Sequence, residues 1–400
     1  MPAGVSTIGP ASTAQQANEP SGTQGSATAQ HSATQSRKLP FTASARKHRE
    51  QMALSVSSVT HKTAAWTATT ITEQNIPSYG FLRGIWLRVT ATGGTGTVAV
   101  AKADAPWVAL GGISITDPDG APIYQVNSGY TAYVIHKYGG YMAGACDPKQ
   151  DPYYKGVQTS GDFQFQLYLP IEIEERNGFG ALPNTDSGKQ YKLNLHVNAS
   201  NNVYSTAPTT APNITLKAWA SCWTQPPVSD VLGRGLTRQP PMVGSTQYWS
   251  RAVMTMAAGT NFGKYFTRVG NVVRGWLFIY RVTGARVLNS TTTWPNPATI
   301  YRDGYNYDIV DKNLWIEQTT RSYDLHNAVE TAGGPDNGVF PYMFIFDLDG
   351  RPGNELRGQW WPTLQSSRIQ LNGAFGKAGT LEVVTNDVAP TGTPSNRVTL

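Results

Sequence analysis

The chain has 400 residues, more than one hydrophobic core ordinarily serves, so two domains are the default. Only 14% of residues are charged, while 40 Gly, 26 Pro, 11 Trp and 19 Tyr are present, a mixture that points to an all-β protein with long loops. Two cysteines, Cys146 and Cys222, exclude a disulfide framework, and no run reaches the ~18 apolar residues of a spanning helix.

The net charge of +6 is unevenly placed. Residues 1–62 hold Arg37, Lys38, Arg46, Lys47, Arg49 and Lys62 against Glu19 and Glu50, so the rest of the chain is nearly neutral. Met1-Pro2-Ala3-Gly4-Val5 has no basic start and no apolar stretch, so no secretory signal is read, and reduced thiols in a cytosolic product are the plainer reading of the cysteines. Residues 1–36 are almost wholly Ala, Ser, Thr, Gln, Gly and Pro, too poor in apolar area to offset their ordering entropy, and are expected to be disordered. Ala43–Leu54 carries a weak helical pattern through Ala45, Met52 and Ala53.

Strand character begins near residue 66. Gly80-Phe81-Leu82-Arg83-Gly84-Ile85-Trp86-Leu87-Arg88-Val89-Thr90 reads as a strand ending in the turn chemistry of Gly93-Gly94-Thr95-Gly96. Ile113–Thr116 leads through Asp117-Pro118-Asp119-Gly120, a turn, into Pro122–Val126. Phe163–Leu169 and Tyr191–Val197 alternate with period two, so one face of each is buried. Ile214–Trp219 closes this half. Residues 225–246, with Pro226-Pro227, Gly233, Gly235 and Pro240-Pro241, read as a linker. The second half begins near Tyr248, contains a helix expected over 311–329 with Asp311 as its N-cap, and continues through strands at Phe340–Phe346 and Arg368–Leu371.

The halves resemble each other. Arg83-Gly84 and Arg88-Val89-Thr90 recur as Arg274-Gly275 and Arg281-Val282-Thr283, and Leu182-Pro183 before Leu193-Asn194 recurs as Trp361-Pro362 before Leu371-Asn372. The order and spacing predict a duplicated β-sandwich of about eight strands per copy. The expected division is an arm at 1–62, a first domain at 63–224, a linker at 225–246 and a second domain at 247–400.

These residues resemble the double jelly-roll major capsid proteins of tailless, membrane-containing icosahedral bacteriophages, the tectivirus type. The resemblance runs over roughly residues 79 to 375. It is carried by Gly80-Phe81-Leu82-Arg83 through Thr90, Asp117-Pro118-Asp119 followed by Ser128-Gly129-Tyr130, and Leu167-Tyr168-Leu169-Pro170. Asp311-Lys312-Asn313-Leu314-Trp315, Gly338-Val339-Phe340 and Asp347-Leu348-Asp349-Gly350-Arg351-Pro352 follow in the same order. It implies two consecutive eight-stranded jelly rolls with short helices in loops. It implies a homotrimer that mimics a hexagon and packs against neighbouring capsid trimers, penton and minor capsid proteins. The protein would be made in the host cytoplasm, reside in the virion and have no enzymatic activity or cofactor. The Ser/Thr/Gly/Pro-rich N-terminus departs from the family's Gln/Ala-rich helix.

Catalytic and metal motifs are absent from the sequence: there is no GxSxG, phosphate loop, HExxH or paired CxxC, and the six His are far apart. Glu172, Glu174 and Glu175 offer a glycosidase-like carboxylate pair, but a strand end entering solvent is the expected reading. Asp117–Gly120 and Asp347–Gly350 lack the rest of a calcium loop and read as turns. Trp219, Trp223, Trp249, Trp360 and Trp361 raise the alternative of a carbohydrate-binding or carbohydrate-active β-sandwich; core or subunit-interface positions are favoured. Arg37, Lys38, Arg46, Lys47 and Arg49 form a generic electrostatic arm, facing the shell interior or contacting a membrane, without specific nucleic-acid recognition.

Overall fold

The computed structural model describes residues 50–54, 69–139, 147–174, 178–224, 244–261, 263–288, 292–323, 337–344 and 360–390, all within one compact unit spanning Leu39–Leu400. In the first half the strands are β1 (Glu50–Leu54), β2 (Thr69–Asn75), β3 (Phe81–Thr92), β4 (Val100–Ala101), β5 (Leu110–Thr116), β6 (Pro122–Val126), β7 (Phe163–Pro170), β8 (Leu182–Pro183), β9 (Lys192–Val197), β10 (Tyr204–Thr206) and β11 (Asn213–Trp223). Helix α1 (Gly129–Tyr138) lies between β6 and β7, and α2 (Ser200–Val203) is a single turn. The second half has β12 (Ser245–Met256), β13 (Gly259–Thr260), β14 (Val272–Val282), β15 (Ala285–Arg286), β16 (Ala298–Arg302), β17 (Tyr305–Val310), β18 (Val339–Met343), β19 (Trp361–Pro362), β20 (Ile369–Asn372), β21 (Ala374–Phe375) and β22 (Gly379–Pro390), with α3 (Lys312–Tyr323) after β17.

The expected alternation is met. Phe163, Phe165, Leu167 and Leu169 point into the core of β7 while Gln164, Gln166 and Tyr168 are half-exposed, and Leu193, Leu195 and Val197 do the same on β9. Each such apolar side chain contributes about 1.5–3 kcal/mol on leaving water. The protein is all-β, two tandem jelly rolls with few short helices. One sheet of the first roll runs β1-β11-β3-β7, with β8 also on β3; its facing sheet runs β2-β9-β5-β6. In the second roll the order is β12-β22-β14, with β18 and β19 both on β14, facing β17-β16-β20.

The duplication is visible strand by strand. β1, β3, β5, β6, α1, β7, β8, β9 and β11 have counterparts in β12, β14, β16, β17, α3, β18, β19, β20 and β22, in the same chain order and with the same neighbours. Registers agree too: Gly84 faces Ser221 and Pro170, as Gly275 faces Asn386 and Met343. Ile115 faces Leu193 as Ile300 faces Leu371. The rolls are more than linked: a parallel bridge from Tyr124 on β6 to Trp249 on β12 merges one sheet of each roll into a ten-stranded sheet.

One local expectation changes. Residues 50–54 form a strand rather than the end of a helix, pairing from Glu50 with Cys222 to Leu54 with Ala218. The apolar stripe there is too weak to stabilise a helix, whereas the edge of β11 offers unpaired backbone groups to be satisfied. The helix expected over 311–329 is present as Lys312–Tyr323, with 324–329 outside the described residues, and Asp311 caps it as expected: its Oδ1 accepts from the N–H groups of Asn313 (2.9 Å) and Leu314 (3.2 Å). Those donors hold the Asp311 carboxyl below the usual carboxylate range.

Candidate functional site

Arg37, Lys38, Arg46, Lys47 and Arg49 lie outside the described residues, as do Cys146, Glu175 and Asp347–Gly350. The polar chemistry that the described residues do concentrate is a seam of buried charge along and between the two rolls.

It begins at two matched β-bulges. The ladder between β3 and β11 skips Arg83, and the ladder between β14 and β22 skips Arg274. A bulge turns one side chain and one carbonyl out of the regular pattern. The freed carbonyl of Arg83 accepts from the N–H groups of Ile171 and Glu172, and that of Arg274 from Phe344. The glycine that follows each arginine is required by packing: a Cβ on Gly84 would meet Tyr168 Oη at 2.5 Å and Leu169 O at 2.7 Å, and one on Gly275 would strike Met343.

Both arginines are buried. Arg83 Nε donates to Glu172 Oε2 at 2.6 Å, its guanidinium lies 4.1 Å from the Trp223 ring centroid, and Trp223 Nε1 donates to the other Glu172 oxygen. Arg274 Nη1 donates to Gly139 O (2.9 Å) at the C-terminus of α1 and to Asn386 Oδ1 (3.1 Å). A cation there complements the negative end of the helix dipole. Asn386 also donates to Gln247 Oε1 and Tyr248 O, and Gln247 Nε2 donates to Glu172 O, so the two bulges are joined through β12. Beside them Arg268 Nε donates to Asp387 Oδ1 at 2.6 Å. Burial pushes the Asp387 carboxyl upward, opposed by the Arg268 guanidinium.

Helix α1 is the wedge between the rolls, and every one of its residues is buried. Thr131 Oγ1 donates to Glu382 Oε1 on β22 (2.6 Å), which also accepts from Arg251 Nε (2.7 Å). The Tyr130 ring lies under the guanidiniums of Arg281 and Arg286, 5.5 and 4.4 Å from its centroid, and both arginines pair with Asp104 of the first roll at 2.6 and 2.8 Å. His136 is buried against Trp86, and its Nδ1 accepts from the Tyr168 N–H (3.1 Å). Loss of hydration lowers its pKa to about 4, against the attraction of Asp147.

This arrangement fixes two rolls in one orientation and does not resemble a reaction centre. Glu172 was expected in solvent and is instead 4% exposed; Glu174 is also buried. The strand end is covered because Trp223 and Arg83 close over it. Both Glu172 oxygens are occupied, by Arg83 and Trp223, which is not the free carboxyl that a glycosidase-like pair needs at that position. Changing Glu172 is therefore expected to cost stability. Trp223, Trp249, Trp360 and Trp361 are buried, Trp219 is half-buried, and Asp117–Gly120 is a turn in which Asp117 Oδ1 accepts from the Ala121 N–H. Among the described residues no group of three His, Cys, Asp or Glu side chains is placed to hold a metal ion, and no helix is long and apolar enough to cross a membrane. In the sequence Arg83, Arg274 and Tyr130 stand out only as members of strand, repeat or family motifs, with no buried role, and Asp104 and Glu382 do not stand out at all. A charged residue before glycine inside an apolar run, as in Leu82-Arg83-Gly84-Ile85 and Val273-Arg274-Gly275-Trp276, is the signal that marks both bulges.

No protein-family model and no curated protein matches the chain. Solved structures do. The STIV MCP is 14% identical, with 84% of this chain and 97% of that one covered and a TM-score of 0.57. A chain in the atomic structure of Sulfolobus Turreted Icosahedral Virus is 13% identical, covering 86% and 91%, with a TM-score of 0.57. The major capsid protein P2 from Bacteriophage PM2 is 10% identical, covering 86% and 97%, with a TM-score of 0.51. At these identities the likeness is one of fold, and the chain therefore has the double jelly-roll fold of viral major capsid proteins, shared across several icosahedral viruses.

Proposed function

We propose that the chain is the major coat subunit of an icosahedral virus shell, three copies closing into a capsomer of pseudo-hexagonal outline. The observation that carries this reading is the extent of the fold match: both rolls align in order with capsid proteins, and 97% of the STIV MCP is covered. The ion-paired seam suits the role, since two rolls held in one orientation make a rigid six-sided unit from three chains. The role is structural, without catalysis or cofactor. The narrower assignment to a tectivirus-type bacteriophage rests on the ordered motifs between residues 79 and 375.

In this reading the arm is residues 1–49, because β1 (Glu50–Leu54) already pairs in the first roll's sheet; the first roll runs on to 224, and the linker ends where β12 opens the second roll at Ser245. Arg37, Lys38, Arg46, Lys47 and Arg49 face the interior, against neighbouring subunits or an internal membrane, where each cation adds about 1 kcal/mol. Neighbouring trimers, penton and minor capsid proteins are the remaining partners. Light scattering at low micromolar concentration should give about three times 43.3 kDa, and negative-stain images should show flat, roughly hexagonal particles or closed shells. A clean monomer at that concentration overturns the reading. Deleting residues 1–49, which stops short of β1, should leave the trimer intact and impair shell closure or attachment to the interior. Particles of normal size and stability from this variant would make the arm dispensable.

A further inference from the structure

The last turn of α1 brings a lysine and an aspartate together out of water. Lys137 Nζ lies 3.1 Å from Asp147 Oδ2, and the two side chains are 3% and 15% exposed. Each group is placed by its own local structure. Tyr133 and Lys137 stand one helical turn apart on α1, so they share a face of the helix. Asp147 is the N-cap of the single 3-10 turn Pro148–Gln150, and its Oδ1 accepts from the Lys149 N–H at 2.9 Å. The Tyr133 hydroxyl donates to the same oxygen at 3.0 Å.

The two carboxylate oxygens therefore differ. Oδ1 is held by two donors, while Oδ2 faces the amine. An acyl-transfer site offers a carbonyl the same elements: two donors on one oxygen, a nucleophile within reach of the carbon, and a second oxygen free to leave. The surroundings are aromatic. Trp107 stacks on Tyr133 with 4.4 Å between centroids and on Tyr154 with 5.3 Å, and Nζ lies 5.4 Å from the Tyr138 ring centroid. Loss of hydration pushes the Tyr154 hydroxyl up to about 12, with the Asp147 charge adding to the effect, which marks the site as dry.

Dryness changes what such a pair can do. In water the amine is protonated and the carboxylate is a poor electrophile, so lysine and aspartate pair without reacting. Away from water each ion carries a desolvation cost, and one proton passing from Nζ to Oδ2 removes both charges at once. We infer that Lys137 and Asp147 condense into an isopeptide bond. The neutral Nζ attacks Asp147 Cγ, and the carbonyl electron pair moves onto Oδ1, where the Tyr133 O–H and the Lys149 N–H hold the developing charge. A second proton passes from the nitrogen to Oδ2, the Cγ–Oδ2 bond breaks, and water leaves as the Cγ–Oδ1 double bond re-forms. One ammonium and one carboxylate become one amide and one water, with no change of oxidation state and no co-reactant. The amide links residues 10 apart in the chain. It pins the end of α1, where Arg274 of the second roll donates to the Gly139 carbonyl, by a bond that survives unfolding.

The test is the intact mass of the full chain, denatured and reduced, together with a tryptic map. The linked chain should be lighter than its sequence by one water. Trypsin should no longer cut after Lys137, so residues 103–149 appear as one peptide short of one water, in place of 103–137 and 138–149. Lys137→Arg keeps the charge and removes the nucleophile, so this variant should have its full sequence mass, with near-ultraviolet circular dichroism to show that it folds. Tyr133→Phe takes one donor from Oδ1 and should slow formation about a hundredfold, read as the linked fraction at matched times after synthesis. A Tyr133→Phe chain that links as fast as the wild type overturns the role given to that hydroxyl. A wild type of full mass that is cut after Lys137 overturns the inference and leaves an ordinary buried ion pair; this readout needs no variant. A missing water with the Lys137 cut intact, or one that persists in Lys137→Arg, places the dehydration elsewhere and overturns it too. None of these outcomes bears on the coat-subunit reading, which particle mass tests separately.

Discussion

Replacing Glu172 by Gln tests the buried seam most directly. The change keeps shape and removes the charge that pairs with the Arg83 guanidinium, which is 5% exposed. At 2.6 Å the pair's gross Coulomb attraction is roughly 6 kcal/mol with an effective dielectric near 20, most of it offset by desolvation of the two ions. Breaking a buried pair by removing one partner costs about 3–5 kcal/mol. Arg83 retains the face of Trp223 and a 3.4 Å contact from Nη1 to Ser221 Oγ, which places Glu172→Gln near the lower end, about 3 kcal/mol. The measurement is urea unfolding followed by tryptophan fluorescence, with Arg83→Met and the double variant completing a cycle. The double variant should cost clearly less than the sum of the singles, because an apolar side chain in place of both charges needs no partner. A loss within about 0.5 kcal/mol for Glu172→Gln, the value of an exposed substitution, would refute the argument.

Three further outcomes are expected. Asp104→Asn removes the carboxylate that pairs with Arg281 and Arg286 between the rolls; it should cost about 2 kcal/mol, discounted for the water that reaches Asp104, and split thermal unfolding into two steps in calorimetry. His136 has a folded pKa lowered to about 4 from 6.5, so the unfolded chain binds the proton first as pH falls. Its contribution is therefore complete above about pH 6.5 and lost progressively down to about pH 4, by up to about 3 kcal/mol. Urea midpoints across that window should fall less steeply in His136→Gln. Gly84→Ala forces a methyl group against Tyr168 and the Leu169 carbonyl and should cost about 1–3 kcal/mol by chemical denaturation.

Much of the architecture is local and so was legible in the sequence. Alternation in Phe163–Leu169 and Tyr191–Val197 gave the buried faces of β7 and β9, because a pleated strand sends successive side chains to opposite sides whatever it pairs with. Asp311 marked a helix start because its carboxylate reaches backbone donors two and three residues away. The paired Arg-Gly words marked the duplication because each strand copy needs the same bulge at the same place. What lay beyond reach depends on partners distant in sequence. Glu172 reads as a solvent-facing carboxylate among its neighbours; it is buried because Arg83 and Trp223 arrive from two other strands and cover it. Residues 50–54 are a strand only because the edge of β11 is there to pair with. The bridge from Tyr124 to Trp249 that joins the rolls has no local signature at all. Strand periodicity is set by the backbone, which every residue carries, whereas burial of a charge is set by which distant groups can neutralise it, and only the folded chain brings those together.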